Sequence, residues 1–94
     1  MPILTPDQIS QSLAKLPGWQ LRNNELEQSF TFQDFVAAMH FVNAVAAAAE
    51  EAGHHPDIDI RYNKVRLALS SHDAGGITER DTALATAILG LAGK

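Results

Sequence analysis

Residues 57–69, DIDIRYNKVRLAL, alternate apolar and polar side chains on both sides of the pair Asn63-Lys64. Such alternation is typical of strands with one buried face, and a polar pair between two alternating runs is typical of a tight turn. The stretch therefore predicts a β-hairpin that turns at Asn63-Lys64 and has Tyr62 in the core. In that hairpin Pro56 and Ser71 are expected to lie beside each other.

A second hairpin is predicted upstream. Trp19 and Leu21 alternate with polar neighbours, and Leu26 and Phe30 resume the alternation after Asn23-Asn24. Asparagine tolerates the positive φ angles that a two-residue hairpin turn requires. The two hairpins together supply four antiparallel strands.

Helices are predicted before, between and after the hairpins, because three threonines stand where a helix N-cap would. Each has a polar side chain three residues later that can complete the cap: the pairs are Thr5 with Gln8, Thr31 with Asp34 and Thr78 with Asp81. The first helix is expected to end at Pro17-Gly18 and the second near Gly53. The predicted apolar face of the second helix consists of Phe35, Met39, Val42, Ala46 and Ala49.

The resulting order α-β-β-α-β-β-α indicates an α+β domain whose antiparallel sheet has one face under helices. A chain of 94 residues without cysteine is too short for two independent cores, so residues 1–94 are expected to form one domain. A domain this small hides a modest share of its surface, and self-association is therefore expected.

Charge and hydropathy exclude several classes of protein. The net charge is −4 and the chain has no basic cluster, which disfavours binding to duplex nucleic acid. The longest stretch without a charged side chain, residues 35–49, is shorter than the ~20 residues that cross a bilayer. Because the first residues show no basic segment followed by an apolar run, the expected location is the cytoplasm.

Three histidines are predicted to meet. His54 and His55 precede the second hairpin and His72 follows it, and the two ends of a hairpin are adjacent. Imidazoles have an unperturbed pKa near ~6.5, so such a group can donate and accept protons at neutral pH. A three-histidine zinc site is the alternative. It is disfavoured because adjacent residues of an extended segment point to opposite sides, which keeps His54 and His55 from binding one ion.

Several other residues have more than one possible role. Glu50 lies one turn before His54 and is either an orienting carboxylate or a solvated one. Asp81 is expected to cap the third helix and can contact a ligand as well. His40 is expected to be simply exposed. The alanine-rich residues 44–49 are either a good helix former or a subunit contact.

The spacing of Glu50, His54-His55-Pro56, Tyr62, His72 and Asp81 resembles the signature of the pterin-4a-carbinolamine dehydratases, also called 4a-hydroxytetrahydrobiopterin dehydratases. The likeness extends along the whole chain. Three further segments look like that family: Leu16-Pro17-Gly18-Trp19, Tyr62-Asn63-Lys64-Val65 and Thr78-Glu79-Arg80-Asp81.

The resemblance implies a four-stranded antiparallel sheet with three helices packed on one face. It also implies a reaction, the loss of water from the 4a-carbinolamine of a tetrahydropterin to give quinonoid dihydropterin. This step recycles the pterin cofactor of aromatic amino-acid hydroxylases. The resemblance implies no metal and no organic cofactor for the enzyme itself, and it implies a homo-oligomer, either a dimer or a tetramer.

Carried over residue by residue, the resemblance implies that His54 and His72 are the acid–base pair and that His55 is an orienting or auxiliary catalytic imidazole. An acid and a base are both needed, because the 4a hydroxyl is a poor leaving group and a ring nitrogen loses a proton. The implied substrate-binding residues are Pro56, Ser71, Asp73 and Ala74, with Glu50 and Asp81 in support.

Members of the family also look like partner-binding proteins. The alternative function is therefore a non-catalytic dimerisation, assembly or transcriptional co-regulator protein of the same fold. A relative without catalysis would be expected to lose part of the histidine set, whereas this sequence retains His54, His55 and His72.

Overall fold

The computed structural model describes residues 2–92 and confirms the predicted α+β order. Its elements are α1 (Pro6–Leu13), β1 (Gln20–Arg22), β2 (Glu25–Thr31), α2 (Phe35–Ala52), β3 (Asp57–Arg61), β4 (Lys64–Leu69) and α3 (Glu79–Ala92). The four strands form one antiparallel sheet in the order β1-β2-β4-β3. The hairpin partners β3 and β4 thus lie beside the hairpin partners β1 and β2, with β2 and β4 in the centre.

The upstream turn is the predicted one. Asn23 and Asn24 connect β1 to β2 with φ angles of 53° and 61°, which asparagine tolerates. The downstream turn is one residue earlier than predicted. Arg61 pairs with Lys64, so the two turn residues are Tyr62 and Asn63.

The prediction that Tyr62 belongs to the core is wrong. Its position in the turn interrupts the alternation after Ile60, and the residue is 67% exposed. Asn63 is held in the second turn position by Phe32, whose carbonyl accepts the Asn63 amide at 2.8 Å and whose N–H donates to the Asn63 carbonyl at 2.8 Å. Tyr62 therefore takes the first turn position, where its φ of 53° is unfavourable for a bulky side chain.

Replacing Tyr62 with glycine is expected to raise the free energy of unfolding by about 0.5–1 kcal/mol. Relief of left-handed strain contributes about 1–2 kcal/mol, and the greater flexibility of unfolded glycine offsets about half of it. Urea denaturation measures the change. The control Arg61→Gly, in the adjacent strand position, is expected to lower stability by about 0.5–1 kcal/mol, and equal losses in the two variants would contradict the strain argument.

The start of α1 confirms the predicted capping box. The N–H of Thr5 donates to the Gln8 side chain at 2.8 Å, and the N–H of Gln8 donates to the Thr5 hydroxyl at 3.2 Å. The start of α2 differs from the prediction. Thr31 is the last residue of β2, and Asp34 is the N-cap, with its carboxylate accepting the Ala37 N–H at 2.9 Å. Asp34 is the stronger cap because its charge also interacts favourably with the helix dipole.

The buried face of α2 differs in part from the predicted one: Val42 and Ala49 are buried, but Phe35 and Ala46 are exposed and Met39 is half-buried. The buried residues are Ala38, Phe41, Val42, Val45 and Ala49. Phe41 rather than Phe35 supplies the aromatic contact to the sheet, with ring centroids 4.8 Å from Phe30 and 4.9 Å from Phe32. The end of α2 is as predicted, at Gly53 with a φ of 64°.

The helices leave the edge strand β3 largely uncovered. Ile58 and Ile60 pair with buried residues of β4 and therefore point to the helix-covered side of the sheet, yet they are 37% and 36% exposed. The opposite side of the sheet is polar and carries an ion pair between Arg66 and Glu27. Within residues 2–92, no helix has the length and hydropathy required to cross a membrane.

Candidate functional site

Three connections meet at one end of the sheet: the β1–β2 turn, the segment between α2 and β3, and the loop between β4 and α3. The Asn24 side chain donates to the Gly75 carbonyl at 3.3 Å, and His54 contacts Asp81 at the start of α3. The predicted register is wrong by two positions. Asp57 pairs with Ala68, so continuation of the ladder puts Pro56 opposite Leu69 rather than opposite Ser71.

Asp81 is the centre of a buried hydrogen-bond network. Its residue is fully buried, and its carboxylate accepts from His54 Nε2 at 2.5 Å, from the Ser71 hydroxyl at 2.8 Å and from the Thr78 N–H at 2.9 Å. The bond to Thr78 confirms the predicted capping role. Asp81 has no exposed surface, and its carboxylate contacts His54 and Ser71.

The network also orders the loop between β4 and α3. The hydroxyls of Ser71 and Thr78 lie 2.8 Å apart. Ser71 gives its one proton to Asp81, so Thr78 donates to Ser71. The sequence reveals the Thr78–Asp81 cap but not the link to Ser71.

His54 is held with one ring nitrogen occupied. Its Nε2 donates to Asp81, which leaves Nδ1 as the ring nitrogen available to another partner. The residue is 9% exposed and follows directly on the left-handed Gly53 that ends α2. It lines a cavity of about 550 Å³ between α2 and α3, whose other lining residues are Ala48, Glu51, Ala52, Glu79, Arg80, Ala83, Leu84 and Ala87.

His55 has a different environment from its neighbour. It is exposed, and its Nε2 is hydrogen-bonded to the carboxylate of Glu50, which is exposed as well. Glu50 therefore orients His55 and not His54, contrary to the simple expectation from its spacing of one helical turn. An exposed pair of this kind contributes little to stability, since both partners are well solvated.

His72 is the exposed histidine of the loop between β4 and α3. Its Nε2 lies 3.4 Å from the Ser70 hydroxyl. It lines a smaller cavity of about 250 Å³ beside the β1–β2 turn, together with Asn23, Asn24, Glu25, Ser70, Gly75 and Gly76. The loop is a tight turn, because the Ala74 and Gly75 N–H groups donate to the Ser71 carbonyl at 3.0 and 2.9 Å.

The three histidines lie at one end of the sheet in two kinds of environment. His54 and Ser71 both contact the buried Asp81, whereas His55 contacts Glu50 and His72 lies near the Ser70 hydroxyl. Burial agrees with this division, since His54 is buried while His55 and His72 are exposed. Within residues 2–92, no three histidine, aspartate or glutamate side chains are arranged as ligands of one metal ion.

Asp73 and Arg80 form an ion pair that the sequence analysis missed. Arg80 Nη2 contacts the two carboxylate oxygens of Asp73 at 2.7 and 3.0 Å. The Arg80 guanidinium, chiefly through this hydrogen bond, holds the pKa of the Asp73 carboxyl below its usual value of 3.8. The remaining predicted ligand contacts, Pro56 and Ala74, are both half-buried.

Lowering the pH is expected to break the Asp73–Arg80 pair. A carboxyl whose pKa is lowered in the folded state stabilises the fold above its unfolded pKa, and the contribution is lost as the pH falls through the lowered value. NMR titration of the Asp73 carboxyl is expected to give a midpoint below 3.8, and the midpoint is expected to rise in Arg80→Met. The same midpoint in both proteins would contradict the pairing.

Comparison with known proteins assigns the chain to a family. The family described as "Pterin 4 alpha carbinolamine dehydratase" matches residues 2–91. A protein of Acidobacterium capsulatum named "Putative pterin-4-alpha-carbinolamine dehydratase" is 64% identical over 85 residues, which cover 90% of this chain and 92% of the relative. A protein of Chloroflexus aurantiacus with the same name is 59% identical over 88 residues, covering 94% and 95%.

Two solved structures are similar as well. A Brucella melitensis structure titled "transcriptional coactivator/pterin dehydratase" has a TM-score of 0.92 and 34% identity, covering 96% of this chain and 98% of that chain. A structure titled "pterin dehydratase-like protein as a RuBisCO assembly factor in the alpha-carboxysome" has a TM-score of 0.66 and 30% identity, covering 81% and 88%. Because the family matches residues 2–91 of this chain, the chain belongs to the pterin 4-alpha-carbinolamine dehydratase family.

Proposed function

We propose that the chain catalyses the loss of water from the 4a-carbinolamine of a tetrahydropterin, giving quinonoid dihydropterin for reuse by pterin-dependent aromatic amino-acid hydroxylases. The observation that carries the proposal is the full set of three imidazoles at one end of the sheet, in a chain that matches the family over residues 2–91. No bound metal or organic cofactor takes part in the proposed steps.

The reaction needs two proton transfers. The hydroxyl on carbon 4a takes up a proton and leaves as water, because hydroxide itself is a poor leaving group. A ring nitrogen loses a proton, and the electron pair of that N–H bond forms the new carbon–nitrogen double bond. The substrate takes up one proton and releases one, so the number of protons on the enzyme is unchanged, and exchange with water returns the acid and the base to their starting protonation states. Positioned acid and base groups typically accelerate such transfers by ~10²–10⁴.

Exposure divides the roles among the histidines. His72 is the acid that protonates the leaving hydroxyl, and it is exposed beside a polar cavity. His55 takes the proton from the ring nitrogen, because it is exposed as well and Glu50 orients it. His54, which the sequence paired with His72, is buried against Asp81 and positions the segment that carries His55.

The remaining contacts follow from this arrangement. Pro56 adjoins the histidine pair and offers an apolar surface to the flat heterocycle. The main chain of residues 71–74 offers hydrogen-bonding groups to the polar edge of the ring, and Ala74 lies there half-buried. Glu50 and Asp81 act on the substrate only through His55 and His54.

The test is the decay of chemically generated carbinolamine, followed by stopped-flow absorbance with and without the protein. Catalysed decay that is proportional to protein concentration is expected. Decay at the uncatalysed rate would overturn the proposed reaction.

A partner-binding role is the second candidate. Ile58 and Ile60 of the edge strand β3, and Tyr62 of the turn that follows it, have exposed side chains at an edge where another chain can pair. The partner we infer is a second copy of this chain, since a small domain gains burial by self-association. Light scattering is expected to give a mass that is a multiple of 10.2 kDa, and an oligomer without turnover would favour this second role over catalysis.

A further inference from the structure

Arg80 contacts Asp73 at the candidate site, although the proposed proton transfers do not involve it. It is the second residue of α3 and directly precedes Asp81. Its Nη2 contacts both carboxylate oxygens of Asp73, at 2.7 and 3.0 Å. Asp73 in turn directly follows His72. An arginine of α3 therefore holds the residue next to the proposed proton donor.

The arginine is itself well anchored. Its backbone N–H donates to the Thr78 hydroxyl at 3.2 Å, and its side chain is 31% exposed, against 72% for that of Asp73. Its Nε is buried and makes no hydrogen bond to any residue between 2 and 92. A guanidinium held in this way loses little further freedom when it pairs with a carboxylate.

The loop that carries His72 has two attachments to the start of α3. At its base the Ser71 hydroxyl donates to Asp81 at 2.8 Å. In its outer part Asp73 pairs with Arg80. His72 lies between these two attachments, so its backbone is fixed on both sides by adjacent residues of one helical turn.

We propose that Arg80 is a positioning residue of the dehydration: it acts through Asp73 to hold the loop of residues 71–76 so that His72 meets the substrate. The inference rests on the proposed function. It replaces the expected role of Asp73 as a substrate ligand with a role in holding the loop. Positioning of this kind matters because displacement of a reacting group by about 1 Å can cost up to ~10²-fold in rate.

The central variant is Arg80→Met, which keeps an apolar stem and removes the charge. It is expected to lower kcat for carbinolamine dehydration about tenfold and to leave KM nearly unchanged, since in this proposal Arg80 acts on the reaction through Asp73. The midpoint of thermal unfolding is expected to change little, because the Asp73 partner is 72% exposed and an ion pair with a solvated carboxylate contributes weakly to stability. A structural role alone would not produce this split between kcat and KM.

A rescue variant and a double variant make the test more specific. A single nitrogen of Arg80 contacts both oxygens of Asp73, so the ammonium of Arg80→Lys can make the same contact and is expected to retain most of kcat. Asp73→Asn is expected to lower kcat as much as Arg80→Met, and the double variant no further. The matched control is Arg66→Met, which removes an ion pair with Glu27 within the sheet and is expected to leave kcat unchanged.

Amide hydrogen exchange measures how firmly the loop of residues 71–76 is held, and it requires no substrate. The Ala74 and Gly75 amides, which donate to the Ser71 carbonyl, are expected to exchange several-fold faster in Arg80→Met than in the wild type. Unchanged exchange, wild-type kcat in Arg80→Met, or multiplying losses in the double variant would each overturn the role of Arg80. Absence of turnover in the wild-type protein would instead overturn the proposed function, and the exchange rates would still decide whether Arg80 holds the loop.

Discussion

Replacing His72 with alanine is expected to lower kcat for carbinolamine dehydration by at least ~10²-fold, the lower end of what a positioned acid contributes. His72 is exposed, and its one side-chain hydrogen bond within residues 2–92 is a long one to the Ser70 hydroxyl at 3.4 Å. The free energy of unfolding is therefore expected to stay within about 0.5 kcal/mol of the wild type. A large kinetic loss without a loss of stability is the signature of a group that transfers a proton.

The control for this variant is His40→Ala. His40 is also an exposed histidine, but it lies in the first half of α2, away from the loops that carry the other three. Its replacement is expected to leave turnover unchanged, so the pair separates loss of one imidazole at the site from loss of any imidazole. Equal turnover in His72→Ala and the wild type would contradict the assignment of the acid.

Local rules were sufficient for most of the fold. Turn positions with positive φ, such as Asn23 and Asn24, and a left-handed helix end at Gly53 depend on one or two residues, and the structure has all three where the sequence predicts them. The errors arose where neighbours compete for one position. Asp34 displaces Thr31 as the helix cap, and the contacts of Asn63 move Tyr62 into the turn.

The candidate site was less predictable, because its contacts join residues far apart in the chain. His54 and Asp81 are separated by 27 positions, and no local pattern shows that their side chains meet. The different environments of the three histidines were not predictable for the same reason. His54 is buried because it meets Asp81, whereas His55 and His72 are exposed.

Arg80 was missed for a related reason. Its partner Asp73 lies in an irregular loop, where spacing carries no information about direction. Asp81, which directly follows Arg80, was identified through its capping pattern with Thr78. The first turn of α3 thus combines a predictable function, the cap, with two contacts that only the folded chain reveals.

Replacing Asp81 with alanine is expected to lower the free energy of unfolding by about 3–5 kcal/mol, the range observed when a buried charged partner is removed. The carboxylate accepts from His54, Ser71 and Thr78, and all three donors are buried. An unsatisfied buried donor costs about 1–3 kcal/mol, although His54 can shift its proton to the other ring nitrogen and so relieve part of the cost. For a domain of this size such a loss corresponds to roughly 10–30 °C in Tm.

The matched control is Asp34→Ala. Asp34 is also an aspartate at a helix start, but its carboxylate accepts a single bond, from the Ala37 N–H at 2.9 Å, and the residue is half-buried. Its replacement is expected to cost about 1 kcal/mol, as is usual for an N-cap. If Asp81→Ala were no more costly than Asp34→Ala, the carboxylate would be a helix cap and nothing more.

Asp81→Asn separates the hydrogen bonds from the charge. The amide oxygen can still accept from Ser71 and Thr78, but the N–H₂ group faces His54 Nε2, which can then bond only as an acceptor, with the ring proton on Nδ1. The variant is expected to be more stable than Asp81→Ala and still to lose turnover, because the charge of the carboxylate is gone and His54 is held in the other tautomer. Turnover equal to the wild type in a stably folded Asp81→Asn protein would show that the buried network supports the fold and does not position the histidines.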